Sequence, residues 1–195
     1  MADFAVPQAV QSHDAALAAA LDRRSIVLVG MMGAGKSSIG RRLAARVGIP
    51  FVDADSEIEQ AAGMTIAEIF EAHGEPYFRS GEARVITRLL EHGPQVLATG
   101  GGAFMNEHTR ANIRAKGISV WLKADLDVLT RRLRRRNDRP LLKTADPVAT
   151  LVKLLAEREP IYALADVTVM SRDVSHDLIV DEIVTAVGGK VGVTA

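Results

Sequence analysis

Gly30-Met31-Met32-Gly33-Ala34-Gly35-Lys36-Ser37 matches the pattern G-x-x-x-x-G-K-[ST] in full. The apolar run Ile26-Val27-Leu28-Val29 precedes it and a helical pattern opens at Lys36, so strand, loop and helix stand in register. Glycines let a backbone curl until successive N–H groups point inward at a phosphate. The N-terminus of the following helix adds partial positive charge at the same place. The stretch therefore predicts a triphosphate cradle built from Gly33, Ala34, Gly35, Lys36, Ser37 and Ser38. Lys36 is expected to reach the β- and γ-phosphates, and the Ser37 hydroxyl to ligate Mg²⁺. The loop alone does not say what becomes of the phosphate.

Outward from the loop, short β-rich runs alternate with helical patterns, which predicts a parallel sheet with helices on both faces. The expected strands are Ser25–Val29, Pro50–Asp53, Gln95–Ala98, Ser119–Leu122 and Val167–Met170, which gives a three-layer α/β sandwich around a five-stranded parallel sheet. The expected helices are Lys36–Val47, Ser56–Ala62, Thr65–His73, Tyr77–His92, Glu107–Ala115, Leu126–Arg135, Pro147–Ala156 and Ser175–Val187. In such sheets ligands collect at the C-terminal ends of the strands, where the remaining motifs are to be sought. Gln11 to Arg24 read as an Ala-rich helix with Leu17 and Leu21 four apart, and residues 1–22 as an extension, more consistent with a mobile tail than a packed one, ahead of a domain over 23–195.

At 195 residues the chain is long enough for one domain with a sizeable core. Its formal net charge is zero, so no global field draws it to nucleic acid or to an anionic membrane. It has no cysteine, hence neither a disulfide framework nor a thiolate metal site. No window reaches the apolar length of a membrane span, and the N-terminus lacks a basic start before an apolar stretch. The expectation is a cytoplasmic protein that acts on small molecules as a monomer, with neither membrane nor nucleic acid as partner.

Asp53-Ala54-Asp55 closes the second strand. In extended chain, residues two apart share a side, so both carboxylates would face the loop. One would hold Mg²⁺ and the other would orient or deprotonate a substrate hydroxyl. The alternative is that Asp55 caps the next helix. Gly100-Gly101-Gly102 ends the third strand, and three glycines permit close backbone approach to a ligand. No Asp follows that strand, which leaves Asp53 as the candidate for the metal side. In Phe78-Arg79-Ser80-Gly81-Glu82, Arg79 and Glu82 lie three apart on a helix. Either they form an exposed salt bridge, or Glu82 orients an Arg79 fork that grips a carboxylate, with Phe78 at the pocket wall. Arg158 is equally ambiguous by itself.

From Thr130 to Lys143 the chain carries Arg131, Arg132, Arg134, Arg135, Arg136 and Arg139. Such a run is usually a solvated helix face or a nucleic-acid patch, and no neighbouring aromatic side chain is available to stack bases. After the fourth strand it suggests a mobile lid, with Arg139, before Pro140, closing over a transferring phosphoryl group. The histidines His13, His73, His92, His108 and His176 show no metal-ligand spacing.

Taken together, these motifs resemble the shikimate kinase family from about Arg24 to Val187. The loop has that family's G-x-M-G-x-G-K-[ST] form, with Met32 in the matching place. Asp53 and Asp55 match its D-x-D, and Phe78, Arg79 and Glu82 match its F-R-x-x-E. Gly100 to Gly102 match its G-G-G, Arg139 its lid arginine before P-L-L, and Arg158, Pro160, Ile161 and Tyr162 its R-x-P-L-Y. The resemblance implies a nucleoside-monophosphate-kinase-like fold with a mobile lid. It implies transfer of the γ-phosphoryl group of Mg·ATP to the 3-hydroxyl of shikimate, a step toward chorismate and the aromatic amino acids. Lys36, Asp55 and Arg139 would carry the chemistry, and Ser37 and Asp53 the metal. Asp55, Arg79, Gly101, Gly102 and Arg158 would hold shikimate, and Arg132 would lie on the adenine side. A gluconate-type sugar-acid kinase and a non-catalytic nucleotide-binding switch are the competing readings.

Overall fold

The computed structural model of the protein describes residues 8–133 and 146–193. Strands β1 (Ser25–Val29), β2 (Phe51–Asp53), β3 (Val96–Ala98), β4 (Gly117–Lys123) and β5 (Val167–Met170) form one sheet in the order β2-β3-β1-β4-β5. Every pairing is parallel. Parallel strands need crossovers that cover the faces with helices, so central strands are buried on both sides and read as continuous apolar runs. All five residues of β1 are buried, as its composition predicts. The expected strands match to within a few residues; β4 is longer, and it begins at Gly117, where a Cβ would lie 2.8 Å from the Ser25 carbonyl oxygen.

The helices are α1 (Gln8–Leu21), α2 (Lys36–Val47), α3 (Ala54–Ala62), α4 (Ile66–Leu89), α5 (Glu107–Lys116), α6 (Leu126–Leu133), α7 (Pro147–Tyr162) and α8 (His176–Val191). Two expected helices are joined as α4, but the junction the sequence suggested is there: Gly74 breaks the helix at φ 79°, ψ 172°. The first part of α4 starts with a reciprocal cap. Thr65 Oγ1 accepts from Glu68 N at 3.3 Å, and Glu68 Oε2 accepts from Thr65 N at 2.7 Å. Helix α7 runs six residues beyond the expected end at Ala156, through Pro160. Proline reads as a helix stop in sequence. Here the helix continues to Tyr162, and Arg158 and Tyr162, four apart on one face, are both buried and both donate to the Gly101 carbonyl.

From residue 8 the N-terminal segment is helical, as its Ala-rich sequence predicts, but it is packed and not a mobile tail: Leu17 and Leu21 are fully buried in the main core beside α2 and α8. Arg46 of α2 pairs with Asp14 of α1 and with Asp181 of α8, the latter at 2.8 Å. The two leucines give α1 an apolar stripe, and the ion pairs fix its place against two helices. A smaller cluster of Ile58, Ile69 and Phe78 ties α3 to α4.

Candidate active site

The loop between β1 and α2 has the shape its sequence predicts. Gly30, Gly33 and Gly35 have φ of 131°, 83° and 92°. A Cβ at Gly30 would lie 2.6 Å from the Leu122 carbonyl oxygen, so both strain and space require glycine there. Lys36 Nζ donates to the carbonyls of Gly30 at 2.7 Å and Met31 at 2.9 Å, which fastens its ammonium across the loop. Ala34 is buried inside the loop, and its carbonyl accepts from Ser171 Oγ at 2.7 Å. Ser37 Oγ donates to Asp53 Oδ2 at 2.6 Å. Gly33, Gly35, Lys36, Ser37, Ser38 and Asp53 line one cavity.

The D-x-D pair is built differently from the extended segment expected. β2 ends at Asp53, which is itself the cap of α3: its Oδ1 accepts from Asp55 N at 3.1 Å. Asp55 sits in the first turn of that helix, so the capping role weighed for Asp55 falls to Asp53. The turn still brings both carboxylates to the cavity beside the loop.

A second cavity adjoins the first, and Asp55, Met32 and Gly101 line both. Phe78, Arg79, Glu82 and Arg158 complete its charged and aromatic wall. Arg79 Nη1 donates to Glu82 Oε2 at 2.7 Å, while its Nε and Nη2 donate to Glu75 Oε1 at 3.1 and 3.0 Å. The Arg79 guanidinium also lies over the Phe78 ring, 5.0 Å from its centre. Arg158 Nη1 donates to the Gly101 carbonyl at 3.1 Å, and the Tyr162 hydroxyl donates to the same oxygen. The three glycines serve side chains as well as backbone. A Cβ at Gly100 would lie 2.5 Å from Glu82 Oε1, and one at Gly102 would lie 2.5 Å from the Arg79 guanidinium.

Burial sets the electrostatics. The Glu82 carboxyl is raised above the usual carboxylate range, by burial first; Arg79 and Arg158 pull it down and Asp55 pushes it further up. Burial alone would lower Arg79, but the charges and hydrogen bonds of Glu82 and Glu75 outweigh it and the net shift is upward. Burial pushes the Tyr162 hydroxyl up to about 12, so it is a permanent donor to Gly101.

Arg132, at the end of α6, reaches the nucleotide-side cavity and donates to Ser171 Oγ at 2.9 Å and to the Gly33 carbonyl at 3.4 Å. Arg139, with Arg134, Arg135 and Arg136, lies outside the described residues, as does the last part of the helix expected to run to Arg135. The sequence reading missed His176, Thr99 and Glu75. His176 lines the nucleotide-side cavity from the first position of α8, and burial, then the charges of Arg42 and Arg132, lower its pKa. Its place just after the fifth strand end was the available signal. Thr99 Oγ1 donates to the Leu28 carbonyl at 3.0 Å, bracing β3 against β1 at the cavity rim.

Among the described residues no group of three or more His, Cys, Asp or Glu is arranged to hold a metal. The Ser37 hydroxyl and Asp53 carboxylate are hard oxygen donors, the kind Mg²⁺ takes while phosphate and water fill its other positions. Among the described residues no helix is long and apolar enough to cross a membrane.

The family profile for shikimate kinase matches residues 32–188. The chain belongs to the shikimate kinase family. It is 67% identical over 182 residues to a shikimate kinase of Bradyrhizobium diazoefficiens, covering 93% of this chain and 87% of that one. It is 64% identical over 174 residues to a shikimate kinase of Rhodopseudomonas palustris, covering 89% of this chain and 86% of that one. Its fold matches the solved structure of an Acinetobacter baumannii shikimate kinase in complex with shikimate at a TM-score of 0.85 and 36% identity, covering 89% of this chain and 98% of that one. As a member of this family the chain is an ATP-dependent phosphotransferase with the phosphate-loop, nucleoside-monophosphate-kinase-like fold.

Proposed function

We propose that the chain transfers the γ-phosphoryl group of Mg·ATP to the 3-hydroxyl of shikimate. The observation that carries this reading is that Asp55 lines two adjoining cavities, one walled by the phosphate loop and the other by two arginines. A phosphoryl donor on one side and a small hydroxy acid on the other meet across that carboxylate.

Lys36 and the amides from Gly33 to Ser38 hold the triphosphate. Ser37 and Asp53 are the residues that would hold Mg²⁺, which when bound supplies positive charge to the phosphate oxygens. Asp55 aligns the attacking hydroxyl and accepts its proton. Arg79 and Arg158 grip the carboxylate, with Gly101 and Gly102 offering backbone N–H groups beside them. Arg132 takes the base side of the nucleotide. By family resemblance Arg139 closes over the transferring group. Positioning and electrostatics of this kind account for most of the rate gain in phosphoryl transfer. ATP as co-substrate supports a cytoplasmic setting.

The test is ADP release in a coupled assay with shikimate and with gluconate as acceptors. Turnover with shikimate is expected. Turnover with gluconate alone would assign the acid cavity to sugar acids. Nucleotide binding with neither turnover nor acid binding in the presence of ADP would mark a switch.

A further inference from the structure

We propose that Glu75, which lies outside both cavity walls, is a positioning residue that aims the Arg79 fork at the acceptor. The inference rests on the reading of Arg79 as an acid-binding group. A guanidinium offers two edges of parallel N–H groups, a side-on edge of Nε and Nη2 and an end-on edge of Nη1 and Nη2. One oxygen of Glu75 takes the whole side-on edge, at 3.1 and 3.0 Å. Glu82 accepts from Nη1 at 2.7 Å, and the Phe78 ring lies against the guanidinium. Three contacts from three directions thus fix the plane. Beyond these contacts Nη1 and Nη2 each have a second N–H to offer a ligand, and the missing Cβ of Gly102, which would lie 2.5 Å from Cζ, Nη1 and Nη2 alike, leaves room against the guanidinium face.

The backbone is shaped to put Glu75 there. Gly74 interrupts α4 in a conformation that side-chain-bearing residues rarely adopt, and the helix restarts at Glu75. An acidic side chain in a first helical turn is favoured by the partial charge of the helix end. It also stands one turn before Arg79, the spacing at which side chains meet. Glu82 is buried and holds the guanidinium from within the site; Glu75 is half-exposed and holds it from outside. Without Glu75 the long Arg79 side chain keeps rotamer freedom that acid binding must then remove.

The experiment is steady-state kinetics of the full chain for the wild type, Glu75→Ala and Glu75→Gln, varying shikimate at saturating ATP and then ATP at saturating shikimate, with thermal melts alongside. Glu75→Ala is expected to raise KM for shikimate about five- to tenfold, as expected for loss of one side chain's pre-ordering. kcat should stay within about twofold and KM for ATP should not move, and Glu75→Gln, which keeps an acceptor oxygen, should recover part of the loss. An unchanged KM for shikimate overturns the proposal. A lower KM overturns it too, and makes Glu75 a competitor for the fork. Parallel loss of kcat, both KM values and melting temperature reduces Glu75 to a structural role. Failure of the wild type to phosphorylate shikimate would instead remove the acid-binding reading of Arg79 on which the inference stands.

Discussion

Ser37 Oγ donates to Asp53 Oδ2 at 2.6 Å, joining the last residue of the phosphate loop to the end of the second strand. The same carboxylate caps α3 through its other oxygen. Asp53→Asn separates the two duties. An Asn at a cap still accepts from the backbone N–H, so melting temperature should change by no more than a few degrees. A neutral amide is a poor ligand for a hard divalent ion. The Mg²⁺ concentration for half-maximal rate should rise at least about tenfold, with kcat reduced, measured by titrating Mg²⁺ at fixed ATP. An unchanged Mg²⁺ dependence would leave Asp53 with the cap alone.

Gly102→Ala tests the side-chain purpose of the glycine triplet. The added Cβ would fall 2.5 Å from the Arg79 guanidinium, the far end of a flexible side chain, so the fold can accommodate it by moving the arginine. Gly102 has φ −102°, which alanine adopts freely. Stability should therefore hold, while KM for shikimate rises about 10-fold or more through loss of a charge-assisted fork. Loss of folding without a kinetic effect in the surviving protein would contradict this account.

Glu82 gives a pH dependence with a definite sign. Its carboxyl is raised in the folded protein, chiefly by burial. The folded state therefore holds that proton more tightly than the unfolded chain. The stabilising contribution is fully present below the unfolded value of about 4.3 and is lost as pH rises through the folded value. The melting temperature of the wild type minus that of Glu82→Gln should fall from about pH 4 toward neutrality. A difference that grows over the same range would mean that the Arg79 charge, rather than burial, governs Glu82.

The phosphate loop and the sheet could be read from sequence because backbone physics restricts the residue types. A positive φ at Gly33 and Gly35 requires glycine, and a strand buried on both faces requires the run Ile26 to Val29. The D-x-D and the arginines could be located but not resolved, since Asp53 is both cap and metal candidate only once the strand end is known. Glu75 was hidden because its partner Arg79 already had a second carboxylate at helical spacing in Glu82. The run of α7 through Pro160 depends on what Arg158 and Tyr162 bury, which no local rule contains.

The packing of α1 into the core was the largest departure, and it carries the last prediction. Alanine-rich sequence with Leu17 and Leu21 four apart is too weak a pattern to show that a segment packs; α2 and α8 supply the surface that decides it. Leu21 is fully buried in the main core. Leu21→Ala should cost about 2–5 kcal/mol. At roughly 2–4 °C per kcal/mol for a chain of this size, melting should fall by about 4–20 °C. Removal of residues 1–22 should lower it at least as far, since Leu17 and the Asp14 partner of Arg46 go as well. The site lies at the C-terminal ends of the strands and takes nothing from α1, so KM for shikimate and ATP should stay near wild type at temperatures where the variants remain folded. A truncated chain that melts with the full one would return the segment to the status of a tail.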